Sequence, residues 1–167
     1  MSNNIVKRGY HCAWQIHYHI VFPVKYRKAL LDDEVTQIIE ETAQGISERY
    51  EIEMEAIGTD KDHIHLLCGA HPKTAPGQIV QIFKSITARE MFVRKPSLKK
   101  ELWGGAFWTD GYYVATVGER GNWDVVEKYI RYLSKREIMV RRAHQRSHFY
   151  SVTSSLLQFH AHFFRQK

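Results

Sequence analysis

Between residues 13 and 24 the chain alternates with a period of two. Trp14, Ile16, Tyr18, Ile20 and Phe22 take one parity, and Gln15, His17, His19 and Val21 take the other. Successive side chains of a strand point to opposite faces. The pattern therefore predicts a strand with one face in a core and polar groups on the other. Pro23 suits the end of such a strand, because proline has no amide to give to a central ladder. A sheet is thus required, and the rest of the chain must supply its other strands and a layer to cover it.

The following segments supply both. Asp32 and Asp33 are candidate N-caps for a helix that runs to about residue 50, with Val35, Ile38, Ile39, Thr42 and Ile46 at helical spacing. Ile52, Met54, Ala56 and Ile57 predict a second strand, Gly58-Thr59-Asp60-Lys61 a turn, and residues 62–69 a third strand in a hairpin with the second. A second helix is predicted over residues 76–93, with Ile79, Ile82, Phe83, Ile86 and Met91 inward. Residues 103–108 read as an aromatic turn, and residues 111–118 as a strand between glycines. Asn122 would cap a third helix reaching Arg141-Arg142, with Asp124 and Glu127 near its start, where the helix dipole favours acids.

The order β-α-β-β-α-β-α is too irregular for a doubly wound parallel sheet. It predicts one α+β domain of ferredoxin-like, RRM-like type: an antiparallel sheet with helices mainly on one face. The domain is expected over residues 1–143. Residues 144–167 are expected to be a C-terminal extension, in which Ser147, Ser151, Ser154 and Ser155 suggest turns and Leu156, Leu157, Phe159, Phe163 and Phe164 a docking segment.

Composition narrows the class. A chain of 167 residues with 44% hydrophobic content can bury a core and is not disordered. No apolar run approaches the roughly 18–20 residues of a membrane span, and Met1-Ser2-Asn3-Asn4 has no signal-peptide layout. Cys12 and Cys68 cannot form a disulfide framework. A soluble cytoplasmic protein without a membrane partner is expected. The formal charge of +6 favours a polyanionic partner.

Three groups of residues carry chemistry. His63-Ile64-His65 would project two imidazoles from one face of a strand, a way to offer two nitrogen donors to one metal. His17-Tyr18-His19 has the same spacing and serves as an internal control, although Asp62 and the turn before it make the surroundings of His63 richer. Tyr129, with Tyr132 as its rival on the same predicted helix, is a candidate nucleophile. Its hydroxyl has a reference pKa near 10, so a metal polarising the electrophile would lower the need for a strong base. Lys25, Arg27, Lys28, Lys84 and Arg89 are candidate DNA contacts, with Arg94, Lys95, Lys99 and Lys100 as further cations. They are interleaved with Tyr26, Phe92, Trp103 and Trp108, which could stack on unpaired bases. His144 and His148 lack a third ligand and read as surface residues.

Taken together, these stretches resemble the IS200/IS605-type transposases, the small single-tyrosine members of the HUH endonuclease superfamily. The resemblance is carried by Tyr18-His19-Ile20-Val21-Phe22-Pro23-Val24-Lys25-Tyr26-Arg27, Asp62-His63-Ile64-His65-Leu66-Leu67 and Phe83-Lys84-Ser85-Ile86-Thr87. It continues through Trp103-Gly104-Gly105-Ala106-Phe107-Trp108, Gly111-Tyr112-Tyr113-Val114-Ala115-Thr116-Val117-Gly118 and Lys128-Tyr129-Ile130. It implies that His63 and His65 are the HUH pair, binding Mg²⁺ or Mn²⁺. Tyr129 would then attack a phosphodiester of single-stranded DNA, leaving a 5′-phosphotyrosine and a free 3′-OH. It also implies a homodimer with active sites shared between subunits, and DNA hairpins at element ends as the partner. In many relatives a Gln four residues after the nucleophile contributes to the metal site; here that position is Leu133. Two alternatives stand beside the cleaving transposase: a domesticated relative that binds structured single strands without cutting, and a repeat-associated tyrosine transposase.

Overall fold

The computed structural model describes residues 6–118 and 123–139, with side chains of the last segment described over residues 124–133. The elements run β1 (Lys7–Arg8), β2 (Ala13–Trp14), β3 (His17–Pro23), α1 (Asp33–Tyr50), β4 (Glu53–Asp60), β5 (His63–Gly69), α2 (Pro76–Arg94), α3 (Leu98–Glu101), β6 (Tyr113–Thr116) and α4 (Trp123–Met139). The described residues up to Glu137 lie in one compact unit. No described helix is long and apolar enough to cross a membrane. Asn122, His144, His148 and the boundary expected at residues 143/144 lie outside the described residues.

The main sheet has the order β4-β5-β3-β6, and each neighbouring pair is antiparallel. With α1 between β3 and β4, and α2 between β5 and β6, this is the split βαβ arrangement of a ferredoxin-like domain, as the sequence predicts. The alternating stretch divides into two strands. Ala13–Trp14 leaves to pair with Lys7–Arg8, and only His17–Pro23 joins the main sheet. The expected turn at residues 58–61 is mostly strand. β4 runs through Gly58 and Thr59 to Asp60, and only Lys61 and Asp62 turn.

Parity sets the two faces. Ile20 and Phe22 of β3, Ile64, Leu66 and Cys68 of β5, and Val114 of β6 face α1 and α2. They pack with Val35, Ile38, Ile39, Ala43 and Ile46 of α1 and Ile79, Val80, Phe83 and Met91 of α2. Burying each such side chain contributes roughly 1.5–3 kcal/mol, so this face supplies most of the stability. The helix ends are specified locally. Asp32 caps α1 by accepting from the Val35 amide at 2.9 Å. Pro76 occupies the first turn of α2, where its missing amide costs nothing. Trp108 is buried, and its indole N–H donates to Thr87 Oγ1 at 3.0 Å. Trp103 is 86% exposed.

The other face is covered by α4. Val126, Tyr129, Ile130 and Leu133 pack on Ala56, Leu67 and Val117. The helix lies so close to β4 that a Cβ at Gly58 would sit 2.5 Å from the carbonyl oxygen of Ile130. A bulge between Met54 and Ala56 shifts the register of β4 against β5.

Candidate active site on the α4 face of the sheet

His63 and His65 are two apart on β5, so both rings stand on the α4 face while Ile64 enters the α1–α2 core. Their ring centroids are 5.0 Å apart. His65 is 1% exposed, whereas the His63 side chain keeps 16% of its surface open. Each ring is held at Nδ1. Asp62 Oδ1 lies 2.7 Å from His63 Nδ1, and His19 Nε2 lies 3.0 Å from His65 Nδ1. A carboxylate only accepts hydrogen bonds, so His63 Nδ1 carries the proton and Nε2 has the free lone pair. The other Asp62 oxygen, Oδ2, takes Arg27 Nε at 2.8 Å.

The control pair is not independent of this site. His19 pairs with Leu67, and Val21 with His65, in the β3–β5 register, so His17 and His19 share the α4 face with His63 and His65. The His19 and His65 rings stack at 5.3 Å with 13° between their planes. His17 instead turns to Glu55, with Nδ1 2.5 Å from Oε1. His19 is the site residue that sequence reasoning set aside. The parity of two adjacent strands was the signal that could have found it.

Tyr129 reaches this face from α4. Its ring meets that of His65 edge to face, with centroids 5.6 Å apart at 87°. Tyr132 lies 48% exposed on the same helix, so the structure brings Tyr129 and not its rival to the histidines. Leu133 is buried in the apolar cluster under α4.

The basic residues separate. Arg27 meets Asp62, beside the histidine pair. Lys28 binds the carbonyl of Glu101 and lies 3.4 Å from its carboxylate. Lys25 lies over the Tyr26 ring at 5.7 Å. Lys84 is half buried and donates to the carbonyls of Thr109 (2.7 Å), Asp110 (3.3 Å) and Gly111 (3.0 Å). Arg89 lies in the groove between α1 and α2, on the opposite side of the sheet from the histidines, with Glu90 at 3.9 Å.

Among the described residues no three His, Cys, Asp or Glu side chains are arranged to hold one metal ion. The donor set fits a divalent cation as two of its ligands. The two imidazoles are adjacent on one face, the Nδ1 of each is already engaged, and phosphate oxygens or water would complete the shell. Asp62 meets His63 with one oxygen and Arg27 with the other, and so orients the His63 ring.

Comparison with known proteins identifies the family and the fold. A family model described as "Transposase IS200 like" matches residues 12–132. The ISDra2 transposase TnpA of Deinococcus radiodurans is 35% identical over 125 residues, 75% of this chain and 89% of that protein. The transposase for insertion sequence element IS200 of Salmonella typhimurium is 28% identical over 122 residues, 73% of this chain and 79% of that protein. A crystal structure from Deinococcus radiodurans R1, named as a transposase, superposes with a TM-score of 0.63 at 32% identity, covering 76% of this chain and 97% of that one. A REP-associated tyrosine transposase bound to a REP hairpin shares the fold, with a TM-score of 0.51 at 14% identity over 83% of this chain and 75% of that one.

Proposed function

This chain belongs to the family of IS200-like transposases, and from that premise we propose that it cuts and rejoins single-stranded DNA through Tyr129, at hairpins that flank a mobile element. The observation that carries the reading is the edge-to-face contact of Tyr129 with His65, the second histidine of the His63–His65 pair, within a single chain.

Tyr129 Oη attacks the phosphorus of a phosphodiester. The Oη–P bond forms, the P–O3′ bond breaks, the departing 3′ oxygen takes up a proton, and the tyrosine proton passes to solvent. The phosphodiester energy is kept in the 5′-phosphotyrosine, so attack by a second 3′-OH reverses the step without ATP. Mg²⁺ or Mn²⁺, held by His63 and His65, would neutralise charge on the phosphate oxygens and polarise the phosphorus. Asp62 fixes the His63 ring, His19 the His65 ring, and the packing of α4 on Ala56 and Leu67 holds Tyr129 over them.

Hairpin DNA as the partner is supported by the family and by the net charge of +6. A homodimer with shared active sites rests on the family resemblance; sedimentation of the purified protein tests the dimer, and adduct formation on mixing His63→Ala with Tyr129→Phe tests whether its sites are shared.

The experiment is a denaturing-gel adduct assay with labelled hairpin DNA from the flanks of the gene, in Mg²⁺, Mn²⁺ or EDTA. A metal-dependent covalent band is expected for the wild type and none for Tyr129→Phe, with hairpin binding nearly unchanged. A band that persists in Tyr129→Phe would move the nucleophile to Tyr132 or Tyr113. The buried Leu133 favours a second reading, a hairpin-binding relative that does not cut. A native-gel shift without any covalent band would select it.

A further inference from the structure

The turn after β3 adopts an unfavourable backbone. Tyr26 (φ 60°, ψ 19°) and Arg27 (φ 54°) both lie in the left-handed region. For residues other than glycine this costs roughly 1–2 kcal/mol each. Backbone bonds hold the segment there. Val24 N donates to Asp62 O at 2.8 Å, Lys25 N to Phe107 O at 2.8 Å, and Leu31 N to Lys61 O at 3.1 Å, so residues 24–31 are stitched around the β4–β5 turn. The result is that the Arg27 guanidinium meets Asp62 Oδ2 at 2.8 Å while Oδ1 takes His63 Nδ1 at 2.7 Å.

We propose that Arg27 is a positioning residue for His63. By anchoring one oxygen of Asp62 it keeps the other on the Nδ1–H of His63, which fixes the tautomer and turns Nε2 toward the cation. The proposal rests on the reading of His63 as a metal ligand. It assigns to Arg27 a role different from the phosphate contact that its charge suggests. The Arg27 side chain is 49% exposed, and an ion pair so open to water adds little to stability. Removing it therefore separates ring orientation from folding.

The test is Mn²⁺ titrated into DNA-free protein, read by calorimetry or electron paramagnetic resonance. The proteins are the wild type, Arg27→Gln, Asp62→Asn, the double variant and His63→Ala. Histidine ¹⁵N spectra of the metal-free proteins accompany the titration. Arg27→Gln is expected to weaken Mn²⁺ binding roughly tenfold, the lower end for an outer-shell partner. Its melting temperature should stay near that of the wild type. In the Asp62→Asn background the same change should have no further effect, because the two residues act in series. The spectra should show His63 as the Nδ1–H tautomer in the wild type and a mixture in Arg27→Gln. Unchanged Mn²⁺ affinity and tautomer in Arg27→Gln would overturn the proposal. If its DNA affinity then falls and its salt dependence drops by about one phosphate, Arg27 is a DNA contact. Mn²⁺ binding that survives His63→Ala would instead defeat the ligand assignment, and the tautomer spectra would still decide whether Arg27 orients the ring.

Discussion

Lys84 commits its ammonium to three backbone carbonyls and to the face of Phe22, 4.9 Å away. Burial pulls its pKa down from 10.5 to about 8, with Asp110 opposing the shift. The unfolded chain therefore holds this proton to higher pH than the folded one. Between pH 8 and 10.5 the unfolded state binds more protons, so the contribution of this residue to stability rises with pH. Urea titrations of wild type and Lys84→Met across this window should show the wild type gaining on the variant; a relative loss would reverse the sign. Asp32 shifts in the same direction for a different reason. Burial alone would raise its pKa, but the Lys95 hydrogen bond and the Val35 amide together bring it below the usual carboxylate range. Its contribution is present above about pH 4 and is lost as pH falls through the lowered pKa. Asp32→Ala should cost about 1 kcal/mol at neutral pH, as loss of an N-cap does, and less at pH 3. Residue type announced both charges in the sequence. The carbonyls that hold Lys84 lie 25–27 residues away and the Lys95 partner of Asp32 lies 63 away, and nothing local to Lys84 distinguishes it from a phosphate contact.

At the scale of elements, α4 is placed by what lies beneath it. Gly58→Ala would put a methyl carbon 2.5 Å from the backbone oxygen of Ile130, and a backbone atom cannot swing aside. The helix must lift or slide, and Tyr129 with it. Adduct formation should fall about 100-fold, the scale of a misplacement near 1 Å. Hairpin affinity, read on a native gel, should remain, because the substitution removes no cation and no exposed aromatic ring. The same residue explains why part of the fold was legible and part was not. α1 was readable because its cap and its apolar spacing lie inside one segment. Gly58 reads as turn chemistry in the sequence because glycine has two common meanings, a bend or a close approach. The helix that decides between them lies about seventy residues further on. The histidine site was half legible for a related reason. Spacing within β5 exposed His63 and His65, but the link to His19 required the β3–β5 register.

For the whole molecule, the sheet separates the main core from the candidate site. Phe83 is fully buried in the α1–α2 core, and Phe83→Ala should cost roughly 3–5 kcal/mol in chemical denaturation. Tyr129→Phe on the other face should leave the same measurement nearly unchanged. The bulge at the start of β4 links the two layers. Met54 and Ile57 both pack against the α1–α2 core although they are three positions apart, an odd step, and the extra residue at Glu55 makes this possible. A β4 without Glu55 would keep its phase, because Met54 and Ala56 already pair with the adjacent residues Cys68 and Leu67 of β5. A β4 without both Glu55 and Ala56 would lose it: counted from Met54, Gly58 would turn inward and Ile57 would take the seat under Ile130. Tolerance to deletion at this bulge is thus set by odd and even: losing one residue leaves plain alternation beneath α4, whereas losing a pair turns the rest of the strand over.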